Sequence, residues 1–170
     1  MTTTGQPKTI LGPDSASVIS QLDRFRDALH AIYVDLENEI AALAPRCDLS
    51  GRCCRFLEYD HTLFLSAPEA ALLVNDAGPA ARPLDDGATC PWQDHHGLCQ
   101  ARHARPIGCR VYFCDPAYQS HAPLLTEKYL GRLKVLVAAL DLPWLYAPLH
   151  HHLRDLAPIL SIPDATTSTK

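Results

Sequence analysis

The sequence predicts a mainly α fold in which a long N-terminal helix and C-terminal helices surround an irregular, cysteine-rich centre with room for a small β-hairpin. Three observations predict it. Apolar residues recur every three or four positions over residues 18–43 and again over 124–140. The stretch 78–123 is rich in Pro, Gly, Asp and His and has no sustained period. All seven cysteines of the 170-residue chain lie within 47–114.

Residues 1–13 are polar and broken by Gly5, Pro7, Gly12 and Pro13, which predicts a flexible tail. A single domain is expected over 14–160, since a chain of this length can build one core without disulfides. Asp14 is a candidate N-cap, and Val18, Leu22, Phe25, Leu29, Ile32, Leu36, Ile40 and Leu43 form the stripe of a helix that ends before Pro45. The stripe stays close to a heptad for about four repeats, so a coiled-coil contact with a protein partner or a second copy through 14–43 is open, although packing on the chain's own core is the commoner use. Two short aromatic and aliphatic runs over 55–65 suggest the hairpin.

Ser66-Ala67-Pro68-Glu69 has capping-box spacing, with Pro just inside, and predicts a helix of about two turns closed near Gly78. A helix from Leu124 to Leu140 stops at Pro143, a last helix covers 148–156, and 161–170 is a second polar tail.

The charge balance excludes some functions. With 19 acidic against 15 basic residues the net charge is -4, the wrong sign for nonspecific binding to nucleic acid. No run approaches the roughly 18 apolar residues of a membrane span, and the first residues lack the basic-then-apolar pattern of a signal peptide. The expectation is a cytoplasmic protein without a membrane or nucleic-acid partner. There an odd number of cysteines argues for metal ligation or thiol chemistry rather than a disulfide framework.

The cysteines form two groups, Cys47, Cys53 and Cys54, then Cys90, Cys99, Cys109 and Cys114. Both lie in irregular segments, where the binding energy of a metal can replace apolar burial as the ordering force. All seven are candidate ligands. Arg46, Arg52, Arg55, Arg102, Arg105 and Arg110 lie within a few residues of them and can balance thiolate charge. On an extended backbone Cys53 and Cys54 point to opposite faces, so only one is expected to reach a single ion. The wide spacing and all-sulfur donor set rank an iron–sulfur cluster slightly ahead of zinc.

At these residues the chain resembles the YkgJ-type cysteine-cluster family, a zinc- or iron-chelating domain. Its pattern, Cys-x2-Cys-Gly-x-Cys-Cys followed by Cys-Pro, a cysteine upstream of Arg-Pro, and Cys-Arg, is met by Cys47 through Cys54, Cys90-Pro91, Cys99, Arg105-Pro106 and Cys109-Arg110. The match covers 47–114. Ser50 stands where the family has its second cysteine and Cys114 is extra, so Cys114 is expected to replace the missing thiolate. The resemblance implies metal chelation and no particular reaction.

Other residues read as structural. His95 and His96 suit an exposed turn, and His103 and His121 have no evident partner. His150, His151 and His152 would fan around a helix and could not converge on one ion. Trp92, Tyr112 and Phe113 are expected to wall the cysteines from water. There is no phosphate loop and no His-Glu-x2-His. Three functions follow: a metal or cluster protein with an accessory, maturation or sensing role; an iron–sulfur enzyme for electron or group transfer; and a metal-free cysteine-nucleophile enzyme. Whether the chain is an enzyme at all is open at this level.

Overall fold

A computed structural model describes residues 15–84 and 87–160. The predicted tails 1–13 and 161–170 and the Asp14 cap lie outside the described residues. The fold is mainly helical with one small antiparallel sheet: α1 (Ser15–Leu43), β1 (Phe64–Ser66), α2 (Ala67–Asp76), α3 (Ile107–Arg110), α4 (Ala122–Ala139), β2 (Tyr146–Pro148) and α5 (Leu149–Leu160). Among the described residues no helix is long and apolar enough to cross a membrane.

The stripe of α1 is spent inside the chain. Phe25, Leu29, Ile32, Leu36 and Ile40 are buried against Leu125, Tyr129, Leu133 and Val137 of α4, with Leu72 and Ile107 closing the cluster. Each buried aliphatic or aromatic side chain of this kind contributes roughly 1.5–3 kcal/mol. Ion pairs flank the seam: Arg132 donates to Asp35 at 2.7 Å, Lys128 pairs with Glu39, and Tyr129 Oη donates to Glu39 at 2.9 Å. The α1 helix ends at Leu43, where Ala44 turns to a φ of 47° ahead of Pro45.

The capping box of α2 is present. Ser66 Oγ accepts from Glu69 N at 3.4 Å, and the Glu69 carboxylate reaches back to Ser66 N at 3.2 Å. The hairpin expected over 55–65 does not form; β1 pairs instead with β2, in the register Phe64 to Pro148 and Ser66 to Tyr146. The reason is local. Residues 55–61 are wound into turns by Tyr59 N to Arg55 O (3.2 Å) and His61 N to Phe56 O (3.1 Å), with Asp60 at a φ of 47°. That turn drives Phe56 into a second core with Leu63, Leu65, Leu73, Trp92 and Leu153. This second core also contains Cys54 and Cys90, which sets the cysteine loops directly on α2 and α5.

Candidate metal centre

Three backbone devices bring the two cysteine groups together. Gly51, at a φ of 69°, turns the chain into a short 3₁₀ helix over Arg52–Cys54. Cys90 N donates to Cys54 O at 2.7 Å, joining the first group to the second. Gln93, almost fully buried, uses Nε2 to donate both to Gly51 O at 3.0 Å and to Gly97 O at 2.9 Å. Its own backbone pairs with Cys99 in an isolated antiparallel bridge. One side chain thus clamps the loop before Cys53 to the turn before Cys99.

Cys109 is carried by α3, and α3 is fixed from two directions. Ile107 N donates to the buried Glu69 carboxylate at 3.0 Å, and Glu69 also accepts from Tyr33 Oη at 3.0 Å. Arg110 stacks on the Tyr33 ring with its guanidinium carbon 3.9 Å from the centroid, pairs with Glu37, and donates to the carbonyls of Arg105 at 2.6 Å and His103 at 3.1 Å. Cys114 follows on the next turn, its Sγ 3.4 Å from Ser50 Oγ.

The result is one cavity of about 110 Å³ lined by all seven cysteines, together with Leu49, Ser50, Arg52, Tyr112 and Phe113 among others. Among the described residues no carboxylate lines it. All seven thiols are free of disulfides, Cys54 and Cys90 are buried and Cys47 is exposed. The electrostatics divide the set. Cys54 is in hydrogen-bonding contact with Cys53, Cys90 and Cys99, which with burial pushes its thiol far up. The same hydrogen bond from Cys54 pulls Cys99 down to about 6, aided by Ala101 N and by Arg105 and Arg102. Cys53 is likewise lowered, to about 7, by its contact with Cys54 and the charge of Arg105. Cys109 is raised by burial and by the neighbouring charges of Cys90, Cys53 and Cys99. Five sulfurs therefore feel one another, while Cys114 rests on Ser50 and Cys47 sits at the rim.

Among the described residues no group of three or more His, Cys, Asp or Glu side chains is placed so that it could hold a metal ion. The seven sulfurs line one cavity, but no three of them stand in a ligating arrangement. An all-sulfur set of ligands would be soft and would suit zinc or an iron–sulfur cluster over magnesium or calcium.

The sequence expectations are corrected at several residues. A 3₁₀ turn over Arg52–Cys54 replaces the extended backbone assumed for Cys53 and Cys54. The six nearby arginines split, with Arg46, Arg55 and Arg110 paired to Asp48, Glu58 and Glu37 and only Arg52, Arg102 and Arg105 lining the cavity. Tyr112 and Phe113 are wall residues, whereas Trp92 lies in the core with Nε1 donating to Gly78 O at 3.0 Å.

The histidines lie off the cavity wall. His95 and His96 are exposed, His103 Nε2 lies 2.8 Å from Asp76 O, and His152 is buried with Nε2 3.0 Å from Leu65 O. Sequence reasoning missed Gln93 and the second use of Glu69, because a clamp made to distant backbone leaves no local pattern. Gly51, just ahead of the doubled cysteine, was the one available signal for a tight turn.

The fold and cavity define a small helical protein organised around a cysteine-lined pocket. Against family models, curated proteins and solved structures, the chain matches none.

Proposed function

We propose that this chain is a metal-binding cysteine-cluster protein of the YkgJ type, holding an iron–sulfur cluster and serving as an accessory, maturation or sensing factor in the cytoplasm. The observation that carries the reading is that all seven thiols, drawn from residues 47 to 114, line one cavity with no carboxylate among the described residues. Cys53, Cys54, Cys90 and Cys99 form the inner donor set, Cys109 stands beside them, and Cys47 and Cys114 complete the rim. The contact of Cys114 with Ser50 supports the idea that this thiol stands in for the cysteine absent at position 50. A bound cluster would supply one-electron chemistry or a redox-sensitive signal. Free thiols in odd number suit a reducing compartment.

Zinc is the second reading, favoured by one feature: Cys53, Cys90 and Cys99 all act on the Cys54 thiol. Metal analysis and visible absorption of anaerobically purified protein decide between them. Brown protein with charge-transfer bands and iron supports the cluster, and colourless protein with stoichiometric zinc supports a structural site. Cys114→Ala is expected to lower bound metal as much as Cys109→Ala does. Protein that takes up neither metal and alkylates at one selective thiol removes the proposal and leaves a cysteine nucleophile.

A further inference from the structure

The mouth of the cysteine cavity carries charge of one sign. Arg52, Arg102 and Arg105 line it, and among the described residues no acidic side chain does. None of the three has an ion-pair partner among the described residues, whereas their neighbours Arg46, Arg55 and Arg110 all do. In a chain with 19 acidic and 15 basic residues, a cavity lined by guanidinium groups alone is a local reversal of the net charge.

Arg105 is the best anchored. Its Nε donates to Arg102 O at 3.1 Å, and its own carbonyl is held by Arg110 Nε at 2.6 Å, so both ends of the residue are tied. Its two Nη groups meet no acceptor among the described residues. A guanidinium fixed in this way offers a planar fork that matches a carboxylate or a phosphate edge. Balancing buried thiolates does not account for all three arginines. Arg105 and Arg102 help lower Cys99, but Arg52 and Arg102 are exposed, where solvent and salt weaken their pull on the sulfurs and leave their N–H groups open to solvent. Exposed cations at a cavity mouth are placed to meet something that arrives from solvent. Leu49, 59% exposed and held at a φ of 50°, and Leu98, 46% exposed, line the same mouth and give it apolar sides. The backbone at Leu49 is strained for a non-glycine residue, a cost found most often where a site requires it.

We propose that this mouth is a binding site for a small oxyanion, a carboxylate or a phosphate, clasped by the Arg105 fork with Arg102 and Arg52 and held above the sulfurs. The ligand that the metal centre acts on or responds to is then anionic. This extends the metal-centre reading, but the arginines can be tested with or without metal.

The test is calorimetric titration of the full chain, metal-loaded and metal-free, with inorganic phosphate and separately with citrate, at constant ionic strength set by chloride. Saturable one-to-one binding of at least one anion is expected. Arg105→Gln and Arg102→Gln should each weaken it about tenfold or more, the loss of a charge-assisted hydrogen bond. Arg132→Gln, whose guanidinium pairs with Asp35 on another face, should leave it unchanged. Tighter phosphate binding assigns a phosphorylated ligand, and tighter citrate binding assigns a carboxylate.

Arg102→Gln, at an exposed side chain without a hydrogen bond of its own among the described residues, keeps the test valid if Arg105→Gln does not fold. Wild-type protein that binds anion but no metal sinks the metal centre alone. Absence of saturable binding in both forms, or equal binding by the Arg102→Gln/Arg105→Gln double variant, overturns the anion site.

Discussion

Replacing Glu69 by glutamine keeps size and shape and removes only charge and one acceptor, which makes it a sharp test of how the fold supports the cysteine cavity. The carboxylate is 2% exposed. One oxygen accepts from Tyr33 Oη and Ile107 N, each at 3.0 Å; the other accepts from Ser66 N at 3.2 Å and Ser66 Oγ at 3.0 Å. A glutamine amide has one oxygen, so its NH2 must face one of these pairs. The hydroxyls can rotate to accept, but Ile107 N and Ser66 N cannot. Either orientation therefore sets a buried backbone donor against another donor, which costs about 1–3 kcal/mol. Loss of charge on the remaining hydrogen bonds adds roughly 1–2 kcal/mol.

The expected destabilisation of Glu69→Gln is thus about 2–5 kcal/mol, a large share of the roughly 5–15 kcal/mol that holds a domain together. Urea denaturation followed by circular dichroism measures it, with the slope checked for constancy. Because Ile107 opens the helix that carries Cys109, metal affinity should fall with stability, and a competitive chelator titration reads that directly. A loss below about 1 kcal/mol with unchanged metal affinity would refute the account, for it would mean that Glu69 neither caps α2 nor braces α3.

Two further outcomes follow from the cavity. In metal-free protein, alkylation of Cys99 by iodoacetamide should be half-maximal near pH 6, because its lowered pKa makes the thiolate dominant above that value. Cys109, pushed upward by burial, should stay unreactive until far more alkaline pH, and mass spectrometry of the labelled peptides separates the two. Gly51→Ala should be poorly tolerated: a Cβ there would lie 2.2 Å from Gly97 O and 2.5 Å from Gln93 Nε2, at a φ of 69°. Relief requires parting the Gln93 clamp, so stability should fall by about 2 kcal/mol or more and metal content with it; unaltered metal content would show that the clamp does not hold the cysteine loops.

The long helix, the capped helix at Ser66 and the C-terminal helices were legible because each is written in a repeat or a cap a few residues long. The small sheet was only half legible. A run such as Phe64–Ser66 announces a strand, but its partner lies about eighty residues on at Tyr146–Pro148, and the intervening turn chemistry that rules out a nearer partner is set by Phe56 seeking the core. The same distinction applies at the cysteines.

Residue identity alone placed seven cysteines in two irregular segments, with arginines close by. Tertiary structure decided that all seven thiols line one cavity, that Cys53 and Cys54 sit on a 3₁₀ turn, that Cys114 sits on Ser50, and that only three arginines line the opening. The physical reason is range. Periodicity and capping are interactions between near neighbours in the chain, whereas the cavity is closed by Gln93 and Glu69 reaching backbone 42 and 38 residues away, contacts that exist only once the helices have packed.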